Sequence, residues 1–235
     1  MVFKLDKIRT LSIKNKTKPV SILSFSTSTP IKKETILTKK QPILKPIVKP
    51  IYKTNILKGK LIIIDPGHGG NDPGAVTKTN DYEKFYTLDI SRRIKHHLIA
   101  QGAKVIMLRT NDTNPSLYQR VKQINKLRGD FLISVHVNSF INKSANGTET
   151  YYYKPKEKMA AKYIQSQLVS TLKLKNNGIK KAQMYILKYS KTPGVLIEPC
   201  FITNTKEYRL IKTKRFRENI AKASVKGIQK YFQHK

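Results

Sequence analysis

Four short apolar runs, separated by longer stretches with helical spacing, constrain the fold of this chain most. The runs are nearly continuous in hydrophobic side chains: KLIIID (60–65), KVIMLR (104–109), FLISVH (131–136) and GVLIE (194–198). Strands that are apolar on both faces belong to sheets covered on both sides, whereas strands with one solvated face alternate between apolar and polar residues. The runs therefore predict strands buried inside an α/β fold.

The stretches between these runs carry apolar residues at helical intervals. The spacing predicts four helices, over residues 85–98, 117–127, 160–168 and 216–232, and the first two are followed by Gly102 and Gly129. Two further runs, TETYYY (148–153) and MYILK (184–188), predict strands nearer the sheet edge. Because strands alternate with helices, we predict an α/β fold with a mixed, mostly parallel sheet flanked by helices on both faces.

The first 58 residues differ in composition from the rest of the chain. They contain 14 of the lysines and arginines, two acidic residues, five of the eleven prolines and no glycine. This composition predicts a basic, Pro/Lys-rich arm (1–58) that is disordered or serves in targeting, followed by one folded domain (59–235). An inert linker is the alternative interpretation of the arm.

The charge of the chain indicates what it associates with. With 47 Lys and Arg against 14 Asp and Glu, the formal net charge is +33. A charge of this size favours attraction to a polyanion, which could be a nucleic acid, an anionic lipid surface or an anionic cell-wall polymer. A genome biased toward lysine codons is the alternative explanation.

Cysteine content and hydropathy exclude several classes of protein. Cys200 is the single cysteine, so an intramolecular disulfide and a cysteine-based zinc cluster are both excluded. Nothing approaches the 18 or so apolar residues of a membrane span, and the best candidate for a signal-peptide core, VSILSF (20–25), is short. The route by which the chain leaves its site of synthesis therefore stays open: it could be secretion, release by lysis or organellar import.

Side chains that can bind a metal or transfer a proton lie at the ends of the predicted strands. His68 follows the first strand in the stretch DPGHGG, His136 ends the third strand, and Glu198 ends GVLIE, while Glu83 opens the helix after the His68 loop. Ligands of open α/β sheets collect at the carboxyl ends of the strands. Two histidines and two glutamates are therefore expected to converge on one rim.

Two histidines and two glutamates match the needs of a catalytic zinc site. Such a site uses three N or O ligands and leaves a position for water, while a free carboxylate can serve as general base. The glycines around His68 allow a sharp turn and leave space for a metal and a substrate. The sequence contains no HExxH motif. A structural role, in which the histidine is packed or hydrogen-bonded, therefore remains the alternative for His68 and for His136.

Four segments in order resemble the zinc-dependent N-acetylmuramoyl-L-alanine amidases of the amidase-3 type. They are IIIDPGHGGNDPGAV (62–76), YEKFYTLDISRRIKHHL (82–98), FLISVHVNSF (131–140) and GVLIEPCFITN (194–204). The resemblance extends over roughly residues 59–233. It implies a mixed α/β fold with one zinc ion and cleavage of the amide between N-acetylmuramic acid and L-Ala of the stem peptide.

The resemblance also assigns roles to individual residues. It implies that His68, Glu83 and His136 are the zinc ligands and that Glu198 is the catalytic base. Asn138 would orient the substrate or the ligand loop, and Asp65 would either fix an imidazole tautomer or cap its loop. The chain departs from the family pattern in NNGIK, where Asn177 replaces a common arginine, in Pro199 and Cys200 after the base, and in Val137.

Partners and an alternative function follow from the same features. We expect peptidoglycan as substrate, anionic wall polymers as partners of the arm, no specific nucleic-acid partner, a monomeric state and a site of action at the cell wall. A polyanion-binding protein on a non-catalytic amidase scaffold is the alternative prompted by the charge. No metal-binding role is expected for His96 or His97, and Cys200 is expected to be buried without a nucleophilic role.

Overall fold

The computed structural model describes residues 55–235, and the predicted arm lies outside this range apart from its last four residues. The strands are β1 (Leu61–Pro66), β2 (Lys104–Met107), β3 (Phe131–Val135), β4 (Thr148–Tyr152), β5 (Asn176–Lys181) and β6 (Gly194–Glu198). The helices are α1 (Glu83–Ala100), α2 (Leu117–Leu127), α3 (Lys158–Leu172), α4 (Tyr185–Tyr189), α5 (Thr205–Ile211) and α6 (Lys214–Gln233). None of these helices is long and apolar enough to cross a membrane.

The six strands form one sheet in the order β2-β1-β3-β6-β4-β5. The strands β2, β1, β3 and β6 are mutually parallel. The next strand, β4, is antiparallel to β6. β5 is parallel to β4. The sheet is therefore mixed and mostly parallel, as the sequence predicts.

Helices cover both faces of the sheet. Alternate residues of β1 face opposite sides: Ile62 and Ile64 pack in the larger core with α1, α3 and α6, and Ile63 packs in a smaller core with α2 and α4. The same alternation holds in β3, where Phe131 joins the larger core and Leu132 the smaller. Burial on both faces explains why these strands are continuous apolar runs.

One local prediction is wrong, and one strand of the structure was not predicted. MYILK does not form a strand: residues from Tyr185 onward form α4, which buries Ile186 and Leu187 in the smaller core. A short apolar run does not distinguish a strand from one turn of a buried helix. The edge strand β5 has the polar sequence NNGIKK, which lacks an apolar signal because neither of its faces is fully buried.

Candidate metal centre

The loop after β1 carries His68 to the carboxyl edge of the sheet. Gly67 continues the ladder by donating its N–H to Val135 O at 2.9 Å, and His68 adopts a left-handed φ of 61°. A Cβ on Gly67 would lie 2.4 Å from Cε1 of His136, so a larger residue there would displace that ring. The glycine before His68 is thus required by the close approach of the His136 ring to the backbone of Gly67.

The structure brings together the three residues that the resemblance assigned as ligands. His68 Nε2 and His136 Nδ1 each lie 3.2 Å from Oε1 of Glu83, and the three potential ligand atoms all lie within 4.8 Å of one another. Glu83 is buried, and both imidazoles are partly exposed. Two imidazole nitrogens and one carboxylate oxygen, open to solvent on one side, fit the donor set of a catalytic zinc site. These residues can hold a metal ion.

The mutual contacts shift the ionisation of this cluster. Burial by itself would raise the pKa of Glu83. The hydrogen bonds and positive charges of His136 and His68 outweigh this effect, so the pKa of the carboxyl is lowered. Burial likewise opposes protonation of His68, but Glu83 and Asp72 outweigh it and raise the pKa of the imidazole. Glu83 therefore stays ionised over the physiological pH range, as a carboxylate ligand must.

Asp72 holds the imidazole of His68 in position, a role that the sequence analysis did not assign. Its Oδ2 lies 2.8 Å from His68 Nδ1, and its Oδ1 accepts the backbone N–H of Gly74 at 3.0 Å. A carboxylate at Nδ1 favours the tautomer with the proton on that nitrogen and leaves Nε2 free to bind a metal. The position of Asp72 four residues after His68, in GHGGND, is the signal that could have found it.

Asp65 has a different partner from the imidazole considered in the sequence analysis. Arg120 donates to Asp65 Oδ1 at 2.6 Å and to the carbonyl of His68 at 2.7 Å, and Ser134 Oγ donates to Asp65 Oδ2 at 2.8 Å. The Asp65–Arg120 pair is buried. It ties α2 to the loop that carries His68, so its effect on the site is transmitted through the backbone.

Glu198 ends β6 next to His136. The two positions are adjacent because His136 donates its backbone N–H to Ile197 O at 3.1 Å in the parallel pairing of β3 with β6. Within the described residues, Oε2 of Glu198 is enclosed and has no hydrogen-bond partner. Burial and the negative charges of Glu83 and Glu149 raise its pKa well above that of an ordinary glutamate. A carboxyl with a raised pKa is suited to carry a proton near neutral pH.

Asn138 and Asn177 belong to a network around the buried carboxylate of Glu149. Asn138 Nδ2 and Tyr151 OH donate to Glu149 Oε2 at 3.1 and 2.6 Å. Lys180 Nζ and Asn177 Nδ2 donate to Oε1 at 2.8 and 3.3 Å. Glu149 is paired with Glu198 across the β4–β6 ladder, so this network begins one strand beyond the predicted base.

Two clefts open at this edge of the sheet. The first, of about 430 Å³, contains His68 and His136 and is bordered by α2 and the segment at α4; we call it the metal cleft. The second, of about 850 Å³, lies over β4 and β5 and contains Asn138, Glu149 and Lys175; we call it the β4–β5 cleft. Glu198 ends β6, which lies between β3 and β4 in the sheet.

Two residues without an expected site role, His97 and Cys200, have structural surroundings. His97 Nε2 is 2.7 Å from Glu218 Oε1, in a contact between α1 and α6. Cys200 is fully buried as a free thiol, and burial raises the pKa of that thiol well above its usual value. A neutral, enclosed thiol is a poor nucleophile, in agreement with the expectation that Cys200 is structural.

Two sequence relatives of this chain carry amidase names. The chain is 37% identical to N-acetylmuramoyl-L-alanine amidase LytC of Bacillus subtilis (strain 168), over 76% of this chain and 37% of that protein. It is 35% identical to the probable cell wall amidase LytH of Staphylococcus epidermidis, over 76% of this chain and 60% of that protein. The chain therefore spans less than two thirds of the length of each of these two curated relatives.

A solved structure extends the likeness to three dimensions. The crystal structure of N-acetylmuramoyl-L-alanine amidase from Clostridium difficile 630 aligns with a TM-score of 0.74 at 35% identity, covering 76% of this chain and 99% of that one. The family model Amidase_3, described as N-acetylmuramoyl-L-alanine amidase, matches residues 62–230, which contain His68, Glu83, His136 and Glu198. The chain belongs to the Amidase_3 family of N-acetylmuramoyl-L-alanine amidases.

Proposed function

We propose that residues 59–235 form a zinc amidase domain that hydrolyses the amide between the lactyl group of N-acetylmuramic acid and L-Ala of the peptidoglycan stem peptide. The observation that carries this proposal is the convergence of His68, Glu83 and His136 within 4.8 Å at the sheet edge where Glu198 also ends its strand. The names of the relatives support the same reaction.

The three converging residues would hold one Zn²⁺ ion. When bound, zinc would polarise the scissile carbonyl and lower the pKa of a water molecule to about 7. The chain's contribution is to keep the donors in place: Asp72 fixes the His68 ring, and Val137 N–H donates to Glu83 Oε1 at 2.9 Å. Ala75 N–H donates to the other oxygen of Glu83 at 3.0 Å, so the carboxylate is held at both ends.

Glu198 would move the proton. As water adds to the carbonyl carbon, a carboxylate oxygen of Glu198 accepts its proton, and the same carboxyl then donates that proton to the amide nitrogen as the C–N bond breaks. The products are a lactyl carboxylate and the peptide with an ammonium group on L-Ala, which keeps the second proton of the water. The raised pKa of Glu198 suits this exchange, because a carboxyl must hold the proton between the two transfers.

The domain would act at the cell wall as a monomer with peptidoglycan as its substrate. Residues 1–58 would form an arm that binds anionic wall polymers, since their 14 basic and two acidic residues carry a charge of +12. The route by which the chain reaches the wall stays a prediction with several alternatives. A non-catalytic scaffold is less well supported, because the chain keeps both histidines and both glutamates.

Mass spectrometry of muropeptides treated with the purified chain tests the reaction. We expect release of stem peptides with a free L-Ala amine, one zinc per chain, and loss of release in Glu198→Gln. A matched control is Glu218→Gln, a glutamate that contacts Arg93 and His97 away from the metal centre. Cleavage at a different bond, or full activity in Glu198→Gln, would contradict the proposal.

A further inference from the structure

We propose that the stem peptide of the substrate lies in the β4–β5 cleft, where Lys175 binds a peptide carboxylate, and that the lactyl group and sugar lie in the metal cleft. This inference rests on the proposed amidase function and specifies how the substrate is oriented. It follows from the order of the strands, the direction of proton transfer and the chemistry of the two clefts.

The strand order places the functional side chains in one row. His68 follows β1, His136 follows β3 and Glu198 ends β6, and these strands are neighbours in the sheet. Beyond β6 come β4, where Glu149 pairs with Glu198, and then β5, which begins after Lys175. A substrate along this edge therefore passes from the two histidines over Glu198 to the β4–β5 cleft.

Proton transfer fixes which end of the amide faces which cleft. The carbonyl of the scissile bond belongs to the lactyl group and must face the histidines, whereas the nitrogen belongs to L-Ala and must face the proton donor Glu198. The chain that continues from this nitrogen is the peptide. Because Glu198 separates the histidines from β4, the peptide continues over β4 and β5.

The β4–β5 cleft has the chemistry of a site for a carboxylate-bearing peptide. Lys175 and Lys180 line it with Glu149, so the three charges sum to +1. Lys180 is paired with Glu149, while Lys175 is exposed and has no acidic partner within the described residues. The amides of Asn138, Asn146 and Asn177 also line the cleft and offer donors and acceptors to a peptide backbone.

The metal cleft differs in a way that suits the other half of the substrate. Leu117, Met184 and Tyr185 line it, and Leu117 and Tyr185 are 55% and 38% exposed. Apolar and aromatic side chains at a cleft mouth pack against the C–H faces of a sugar and against the methyl of a lactyl group. An uncharged glycan therefore fits this side, and a peptide with free carboxylates fits the other.

Two matched substrates test the orientation. They are muramyl peptides that differ only at the second stem residue, which carries either a free α-carboxylate or an α-carboxamide. In the zinc-loaded full chain, we expect Lys175→Gln to lower kcat/KM about 10-fold on the carboxylate substrate, through KM, and to leave the carboxamide substrate unchanged. Lys122→Gln, an exposed lysine on α2, is the control for loss of one positive charge and should affect neither substrate.

An equal loss on both substrates in Lys175→Gln, or an equal loss in Lys122→Gln, would overturn the orientation. Calorimetric binding of the free stem peptide to Glu198→Gln tests the cleft without turnover, and adding Lys175→Gln should weaken that binding by a similar factor. Absence of amide cleavage by the wild-type chain would instead refute the proposed function. Peptide binding that does not depend on Lys175 would refute the orientation while leaving the function intact.

Discussion

Replacing Asp72 with asparagine should weaken zinc binding, because Asp72 fixes the ring that would present His68 Nε2 to the proposed metal ion. In the structure, Asp72 Oδ2 lies 2.8 Å from His68 Nδ1. Asparagine has nearly the same shape and keeps an oxygen for the N–H of Gly74, but it loses the negative charge and turns an amide N–H toward His68 Nδ1. That donor favours the tautomer with the proton on Nε2, so the change removes the charge and also opposes the tautomer that can bind a metal.

The magnitude follows from the contact and its exposure. Loss of such an outer partner of a metal ligand costs about 10- to 100-fold in metal affinity, or about 1.4 to 2.7 kcal/mol. The side chain of Asp72 is 48% exposed, and solvent screens exposed charges. We therefore expect a loss nearer tenfold, measured by titrating the metal-free protein with zinc in competition with a chromophoric chelator.

Asp112→Asn is the matched control for this experiment. Asp112 also stabilises the loop that carries His68, through the N–H of Gly70 at 2.8 Å and the ammonium of Lys84 at 2.7 Å, but it does not contact a histidine. The zinc affinity of this variant should stay within a factor of about two of wild type, since Asp112 contacts none of the proposed ligands and the ammonium of Lys84 keeps its hydrogen bond to Gly70 O. Unchanged affinity in Asp72→Asn, or an equal loss in both variants, would refute the role assigned to Asp72.

Four further changes test other parts of the structure. In the metal-free protein at pH 7, Glu198→Gln should raise stability by about 1 to 3 kcal/mol in urea unfolding, because ionising a carboxyl with an enclosed, unpaired oxygen is costly. The pKa of Glu198 is raised in the fold, so the gain should vanish as the pH falls below the ordinary glutamate pKa; a gain that persists at low pH would contradict this account. Arg120→Met leaves Asp65 buried without its charge partner and should cost about 3 to 5 kcal/mol, whereas the double change with Asp65→Asn should recover part of that loss. Gly67→Ala places a Cβ 2.4 Å from the His136 ring and should reduce zinc content well below one ion per chain by atomic absorption; full occupancy would show that the ring can move aside. Deleting residues 1–56 should weaken sedimentation with cell walls mainly at low salt, with turnover of soluble muropeptides little changed, because the charge of the arm is screened as salt rises. If the deletion lowered turnover of soluble muropeptides as much as it lowered wall binding, the arm would not act in wall attachment alone.

The amino-acid sequence determined the layered fold and the convergence of the predicted ligands. Continuous apolar strands such as β1 and β3 must be buried on both faces, and parallel strands bring their carboxyl ends to one edge. His68 and His136, which follow those two strands, were therefore expected to meet without any knowledge of tertiary contacts. The roles of individual residues, by contrast, came from the family pattern.

Only the tertiary structure decided what surrounds these residues. Asp65 pairs with Arg120, 55 positions away, and no local spacing encodes such a contact. The polar strand β5 forms because it pairs with β4 at the edge, although NNGIKK has no strand pattern of its own. The environment of Glu198 arises in the same way, since Glu149 becomes its neighbour only through the antiparallel pairing of β4 with β6. Long-range packing, which depends on every other element, sets these contacts and with them the two clefts.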